Sequence, residues 1–492
     1  PVDLARLEAV VAAWQARLAD LERKVEGVAA ERGTPLRYSP QHGVDPMRLA
    51  DLLYKGLGLE PGRATKRGYS TDAEALAAYA SLTTPRPDDD QTVWRVLKIR
   101  SLAGAIAKAA AYRETRRADG CCHPKFNWAL RTSRLSAEDP PTHQIVEHSD
   151  PEVADGIKSF MVPRVAPAPR PEDWDPHRHG SVLRWDIDGA EAAIRAAMLT
   201  RRFCSAPDPA WEYIRLGKDV HAHTASLIYG RPEGEFRKGM WERDSVAKHV
   251  FFGKQFGGDW GTVQATVWKR ARIWLPDAEA QQVCAAFDAG HPGLVELYER
   301  DKERVAALGY CEDGYGRRRW VDFPAAATFL GWRDGRTQWR IPRGLGAQVA
   351  RAWHVAANTP TQSMNATDCL WMIALGVLGE YVELRVPPMW ERAGLACPEA
   401  AGWRLHGGPG PGRKPFQAWY SNTVHDSAWG DCAPGYLEPF AKLAWRRCRA
   451  VPFDWRLEAD VPYRVSVSVG PDFGHLEPYA RAAARHGLEP LA

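Results

Sequence analysis

No Cys-x-x-Cys pair occurs among the nine cysteines of this 492-residue chain. Structural zinc sites rely on such closely spaced thiolates, so a zinc ribbon or finger is not expected. Cys121-Cys122-His123 is a tight group, but adjacent cysteines poorly share one metal. Free thiols in a reducing compartment are the expectation. Long apolar runs are missing as well. The longest, "CLWMIALGVLG" from Cys369, is too short to cross a bilayer and is expected as a buried helix. Nothing resembles a signal peptide, and the chain begins at Pro1 rather than Met, as a processed or truncated chain would. A strong excess of either charge is absent too. The net charge of +4 gives a mild bias toward polyanions, far from that of a histone-like binder. No internal repeat is evident, so a solenoid is not expected.

What remains is ordinary globular material. Apolar residues make up 45% and charged residues 26% of the chain, enough for a large core in about two to four subdomains. Arginines gather locally at Arg116-Arg117, Arg201-Arg202, Arg317-Arg318-Arg319 and in "WRRCR" ending at Arg449. Residues 4 to 29 space Leu, Val and Trp by three and four, which predicts an amphipathic helix. "VDPMRLADLLYKGLGL" predicts a second, with Asp45 as cap before Pro46. "STDAEALAAYASL" has a capping box in Thr71 and Glu74. "TTPRPDDD" reads as a loop, and "VWRVLKIRSLAGAIAKAAAYRETRR" as a long helix. A Pro-rich connector over 162–180 leads to a strand, "SVLRWDID", and directly to a helix, "GAEAAIRAAML". From Arg201 to about Arg340 the pattern is read as helical, with turns at Tyr229-Gly230 and Gly257-Gly258. Residues 386 to 415 read as a Gly/Pro-rich loop. "FQAWYSNTV" and "SAWG" read as the strands of a hairpin, and 461–470 as a last alternating strand.

Two isolated acidic residues stand at strand ends. Asp186 closes "SVLRWD", and Asp426 follows His425 at the tip of the hairpin. An Asp at a strand end is most often a helix cap. Two carboxylates on adjacent strands have a second use. They hold divalent cations such as Mg²⁺, which prefers hard oxygen ligands, and two such ions clamp the attacking and leaving oxygens of a phosphoryl transfer. The matching phosphate side is basic and helical. In "WERDSVAKHVFFGKQFGG", Lys248, Phe252 and Phe256 fall at four-residue steps and so share one helix face. A cation followed by two aromatic rings suits a triphosphate with its sugar and base. The plainer reading is a core stripe of two Phe with a snorkelling Lys.

These segments resemble family A DNA polymerases of the bacterial DNA polymerase I type, polymerase region only, bacterial or phage-like. "WDIDGAE" is similar to the family's motif A, "RDSVAKHVFFGKQFG" to motif B and "TVHDSAW" to motif C. "RGYSTDAEALAAYA", "RTSRLSAEDPPTHQI", "KDVHAHTASLIYG", "GYCEDGYGRRR", "ANTPTQSMNATD" and "VPYRVSVSVGPDFG" match further segments in order. The resemblance implies an α+β right-hand fold, with an antiparallel-sheet palm and mainly helical thumb and fingers. It implies a thumb over 1–120, a first palm part over 121–198, fingers over 199–345 and a second palm part over 346–492. The implied activity is template-directed addition of dNTPs to a primer 3′-hydroxyl by nucleotidyl transfer. The implied cofactor is two Mg²⁺ ions, with Mn²⁺ as a substitute, held by Asp186, the Ile187 carbonyl and Asp426. Lys248 is the implied triphosphate ligand and charge stabiliser, joined by His221 and Arg243. Phe252 and Phe256 are expected beside the nucleotide. Glu191 is expected to exclude a ribose 2′-hydroxyl. Arg134, Gln362 and His425 are expected to hold the primer-template duplex.

Several positions depart from the family pattern. Arg243 lies five residues before Lys248 instead of four, and Asp244 occupies the usual place. An ideal α-helix would aim Arg243 about 140° away from Lys248, so either a looser turn brings it back or its role has moved. Phe256 replaces a Tyr, Ser133 a Gly, and Ser427 the acidic residue after the motif C Asp. The segment from Gln362 to Asp368 is one residue longer than usual. No acidic group resembles the exonuclease motifs, so neither proofreading nor 5′-nuclease activity is expected. Two other readings stand beside the first: a single-subunit RNA polymerase relative, and a degenerate, non-catalytic duplex-binding replisome module. Expected partners are primer-template DNA and dNTPs, without a membrane. A monomer in the cytoplasm of a bacterial cell or phage-infected host is expected.

Overall fold

The structure, a computed structural model, describes the chain except for residues 37, 40–42, 60–63, 66–67, 72–75, 77–88, 128–135, 143–150, 200–207, 272, 315, 367–417, 425–426, 450–463 and 492. Several expectations fall outside the described residues. They are the capping box through Glu74, the loop before Asp89, the buried helix from Cys369, the loop over 386–415, and the site residues Arg134, His425 and Asp426.

The first part is helical, as its periodicity predicts. Helix α1 (Leu4–Glu31) is capped by Asp3, whose carboxylate accepts the Arg6 N–H. Its buried residues Leu7, Trp14, Leu21 and Val25 pack with Val96, Ile99, Leu102 and Tyr112 of α2 (Asp89–Thr115). Asp45 caps the short helix Pro46–Ala50 by accepting from Met47 and Arg48, so the expected cap and the Pro at the first position are both present. Helix α3 (Pro151–Ser159) closes on α1 at Gly156, where a Cβ would sit 2.5 Å from the Trp14 ring.

Strand β1 (Ser181–Ile187) runs directly into α4 (Ala190–Met198). A helical layer follows: α5 (Pro209–Leu216), α6 (Val220–Tyr229), a π-helical turn (Glu242–Ala247) continuing as α7 (Lys248–Lys254), then α8 (Trp260–Ala271), α9 (Asp277–Gly290) and α10 (Pro292–Leu308). Gly230 and Gly257 take positive φ at the two expected turns. The helical reading up to Arg340 is corrected beyond Leu308. Two antiparallel ribbons stand there: β2 (Tyr310–Glu312) with β3 (Arg318–Trp320), and β4 (Thr328–Arg333) with β5 (Arg336–Arg340). The second ribbon turns at Asp334-Gly335, both at positive φ, the chemistry a tight hairpin requires. Helix α11 (Gly346–Asn365) follows.

Short two-residue or three-residue ribbons also occur at Tyr38–Ser39 with Gly43–Val44, Ala64–Thr65 with Gly68–Tyr69, and Lys125–Asn127 with Ser136–Glu138. Four further strands join β1 in one sheet. They are β6 (Ala418–Val424), β7 (Ser427–Cys432), β8 (Val465–Gly470) and β9 (Glu477–Pro478), with helices α12 (Leu437–Arg449) and α13 (Tyr479–His486). The order is β6-β7-β1-β8-β9, antiparallel throughout. β1 is central, and its Leu183, Trp185 and Ile187 are buried. Trp185 packs edge-on against Phe440 of α12, 5.6 Å between ring centres. Fully burying each such side chain contributes about 1.5–3 kcal/mol. The fully buried Asp431 on β7 receives a two-pronged ion pair from Arg164, at 3.0 and 3.1 Å, which anchors the hairpin to the connector before β1. The architecture is α+β, with one antiparallel sheet flanked by helices.

Candidate active site

The sheet places Asp186 at the last turnings of its central strand. The Cα partner of Asp186 is Ser427 on β7, and on the other side Ser466 on β8. Val424 and Ser427 are themselves ladder partners, with His425 and Asp426 between them in the chain. Those two residues lie outside the described ones, so of the two carboxylates expected to hold metal only Asp186 is described. Asp186 is not the helix cap. The residue preceding α4 is Gly189, in a left-handed conformation with φ 65°, and no side-chain cap bond is formed among the described residues. The Asp186 side chain keeps 26% of its surface open, with the Arg184 guanidinium 3.3 Å away. On the α12 side its charge reaches Cys448, whose thiol is pushed up first by burial and then by Asp186. Glu191 sits in the first turn of α4, half-buried. Ser427, which replaces an acidic residue, is buried.

A basic group assembles on the helices. Asp219 caps α6, accepting from His221 N–H at 3.1 Å and Ala222 N–H at 3.0 Å. The same carboxylate takes Arg243 Nε at 2.7 Å and Nη2 at 3.0 Å. Arg243 also pairs with Asp244. The 140° divergence that an ideal α-helix would impose on Arg243 and Lys248 does not arise, because the looser of the two alternatives is present, a π turn over Glu242–Ala247. There the Lys248 N–H donates to the Arg243 carbonyl, so five residues make the turn that four make in an α-helix. Arg243 and Lys248 both act electrostatically on His221. Burial lowers His221 first, and these two cations lower it further, to about 4. Its Nδ1 is buried without a hydrogen-bond partner among the described residues. The His221 ring lies 5.9 Å from Phe252. His221, Arg243, Lys248 and Phe252 are therefore brought together.

The stripe is not a core stripe. Val250 and Phe251 are the buried residues of α7, while Lys248 is exposed and Phe252 half-buried. Phe256 lies beyond the end of α7, so it does not share the helix face with Lys248 as expected. Instead it faces α4, with the Arg195 guanidinium 5.8 Å from its ring centre. Arg195 is 1% exposed and pairs with Asp301 of α10 at 3.2 Å. Burial pushes the Asp301 carboxyl up to about 6, against the pull of Arg195. Gln362 is half-buried near the end of α11. The adjacent Ser363 carbonyl accepts from Arg317 Nη2 at 2.6 Å, and the Arg317 Nε donates to the buried Asp313 at 2.8 Å. Arg319 donates to Thr359 at 2.6 Å. Two of the three arginines in "GRRR" thus turn inward.

Sequence reasoning missed Asp219, Arg195 and Asp301. Asp219 carried a signal, since an Asp directly before "VHAHTA" has the form of a helix cap. Arg195 carried a weaker one, a lone cation in the apolar run "AAIRAAML". Asp301 carried none. No group of three or more His, Cys, Asp or Glu placed to hold a metal occurs among the described residues. Among them, no helix is long and apolar enough to cross a membrane.

Comparison with known proteins identifies the family and the fold. The family described as DNA polymerase family A matches residues 5–381. The chain is 25% identical to DNA polymerase I of Bacillus subtilis (strain 168) over 325 residues, covering 65% of this chain and 32% of that protein. It is 24% identical to DNA polymerase I of Geobacillus stearothermophilus over 323 residues, 65% of this chain and 32% of that protein. The chain thus spans about a third of these relatives' length. Among solved structures, the POL domain of Pol1 from M. smegmatis, in complex with DNA primer-template and dNTP, superposes with a TM-score of 0.67 at 18% identity. That match covers 96% of this chain and 67% of the other, and it shows the shared fold.

Proposed function

Because the chain belongs to DNA polymerase family A, we propose that it is a template-directed DNA polymerase, extending a primer 3′-hydroxyl with deoxynucleotides. One observation carries this reading. Asp186 and Ser427 are ladder partners, so motifs A and C meet on adjacent strands in register, and Asp426 is the residue before Ser427. In this reading 1–120 form the thumb, 121–198 and 346–492 the palm, and 199–345 the fingers.

The donor set fits Mg²⁺. Asp186 is a partly open carboxylate at a strand end, Ile187 follows it with a main-chain carbonyl, and both are hard oxygen donors. Asp186, Ile187 and Asp426 would hold two ions. Bound there, the ions supply Lewis-acid activation of the primer hydroxyl and neutralise charge on the triphosphate. The chain's own groups do the rest. Lys248, exposed and four residues before Phe252, meets the phosphates as a point charge and stabilises the leaving pyrophosphate. Arg243 is held in place by Asp219, so little entropy is lost when its guanidinium engages an anion. His221 is neutral at pH 7, and its buried, unbonded Nδ1 gains a partner when the site fills. Phe252 offers a ring to the sugar and base. Glu191, at the start of α4, sets a fixed carboxylate where a ribose 2′-hydroxyl would lie. Arg134, Gln362 and His425 hold the duplex.

The test is primer extension with Mg²⁺ and either dNTPs or rNTPs. Extension with dNTPs is expected, and Asp186→Ala should abolish it while duplex binding by anisotropy stays within about twofold. Preferential use of rNTPs would favour the RNA polymerase reading. Tight duplex binding without extension would favour the non-catalytic one.

A further inference from the structure

From Leu183 to Ile187, strand β1 alternates. Leu183, Trp185 and Ile187 are buried on the side where Trp185 meets Phe440 of α12. Arg184 and Asp186 therefore share the opposite face, with side chains 33% and 26% exposed. The Arg184 Nη2 donates to Asp186 Oδ2 at 3.3 Å. The Arg184 Nε is buried without a hydrogen-bond partner among the described residues. The cross-strand neighbours of Arg184 are Trp429 and Ser468, neither of which carries a charge. Ser427, the neighbour of Asp186, stands where the family pattern has an acidic residue, so that position offers Arg184 no second carboxylate.

A second cation stands close by. Lys158 of α3 is half-buried, and its ammonium is lowered first by burial and then by the Arg184 charge. Two like charges set side by side favour an anion between them. Asp186 is one such anion, but its lone pairs have another use. A carboxylate oxygen that accepts a guanidinium N–H offers the same lone pairs that ligate a divalent cation. The Arg184 charge also repels a cation at Asp186. Ion and guanidinium therefore compete for this carboxylate. Once displaced, Arg184 stays on its strand beside Lys158 and lacks an anion. Two residues along a strand span about 6.6–6.8 Å. That span suits the step from a reacting 3′-hydroxyl at Asp186 to the phosphodiester of the same nucleotide.

We infer that Arg184 is a positioning residue that exchanges partners. It pairs with Asp186 until a divalent cation takes the carboxylate, and then it holds a phosphodiester oxygen of the primer strand. The identity of the cation and of the strand rests on the polymerase reading. The consequence is linkage, since each ligand removes a cost of binding the other.

The test follows Mn²⁺ binding by EPR, on the free chain and on its complex with a primer-template, without nucleotide. Arg184→Gln should tighten Mn²⁺ on the free chain by about two- to fivefold, the strength of a partly exposed pair, and shrink the gain from DNA by the same factor. With Mg²⁺, the variant should lower the salt slope of primer-template binding by about 0.9, one phosphate contact. In EDTA, where Arg184 stays on Asp186, the slope should not move. Arg184→Lys, which keeps the charge, should restore the slope. A merely structural ion pair would change the melting temperature and leave Mn²⁺ affinity and both slopes as they are, and that result would overturn the inference. If Asp186→Asn loses a Mn²⁺ site while Arg184→Gln binds as the wild type does, the inference fails and the polymerase reading stands. Equal Mn²⁺ binding by the wild type and Asp186→Asn would overturn the metal reading, and the inference with it.

Discussion

The π turn before Lys248 makes an unusual demand on chain length. If its role is to absorb one extra residue, removing a residue should be harmless and adding one should not. Deleting Ser245 leaves Arg243 four residues before Lys248. The segment can then close as an ordinary α-helix, with both cations on one face about 40° apart. Inserting Ala after Ser245 puts them six apart, about 120° out of line on an α-helix. Arg243 would then leave either Asp219, which now holds it at 2.7 and 3.0 Å, or the site itself. A charge-assisted hydrogen bond contributes about 1.5–3 kcal/mol, so the insertion should weaken dNTP use about 10- to 150-fold. The deletion should stay within about threefold of wild type. The assay is single-nucleotide extension over a dNTP series, giving kcat and KM, with thermal melting as a control. The insertion should act mainly on KM. Equal costs for deletion and insertion, or an unchanged KM in a folded Arg243→Ala variant, would refute this role of the π turn.

Glu191→Ala should raise the rNTP-to-dNTP incorporation ratio by at least about tenfold, equivalent to about 1.4 kcal/mol, and an unchanged ratio would remove Glu191 from the sugar gate. Arg195→Met leaves Asp301 buried without its cation and should destabilise the protein by about 3–5 kcal/mol near pH 8. The loss should shrink toward pH 5, where Asp301, already raised to about 6, takes up a proton. Chemical denaturation at the two pH values checks this, and equal losses would refute it. His221 should make the fold acid-sensitive. Its folded value, about 4, lies below the ordinary 6.5, so the unfolded chain binds a proton first as pH falls. Stability that is complete above about pH 6.5 should fall by at most about 3 kcal/mol on approaching pH 4, and His221→Gln should flatten that part of the profile.

Much of the fold was legible because the signals are local. The three- and four-residue spacing of α1, the Asp45 cap, and the strand-to-helix step at Asp186 depend on neighbours within a turn or two. The ribbons were not legible: the segment to Arg340 reads as helical, although "TFLGWR" alternates and Asp334-Gly335 suits a tight turn. β-propensity depends on what lies beneath the strand. Here Phe323 and Trp353 lie beneath it, contributed from outside the ribbon itself.

The site divides along the same line. Strand ends and helical spacing marked Asp186, Lys248 and Phe252, while the family resemblance gave Glu191 its role and showed Arg243 to be one residue out of step. Whether that step mattered was beyond the sequence. The answer lies in Asp219, which is 24 positions away in the chain yet within hydrogen-bond reach, and in a turn whose ladder runs to the fifth residue. Phe256 shows the converse, since two four-residue steps put it on the helix face of Lys248 while packing turned it to Arg195. Composition and periodicity determine which segments become helices and strands, because those preferences are paid residue by residue. Pairings such as Arg195 with Asp301 and Asp186 with Ser427 are decided only when distant segments share one low-dielectric interior or one ladder, since neither the charge compensation nor the register exists in the separate pieces.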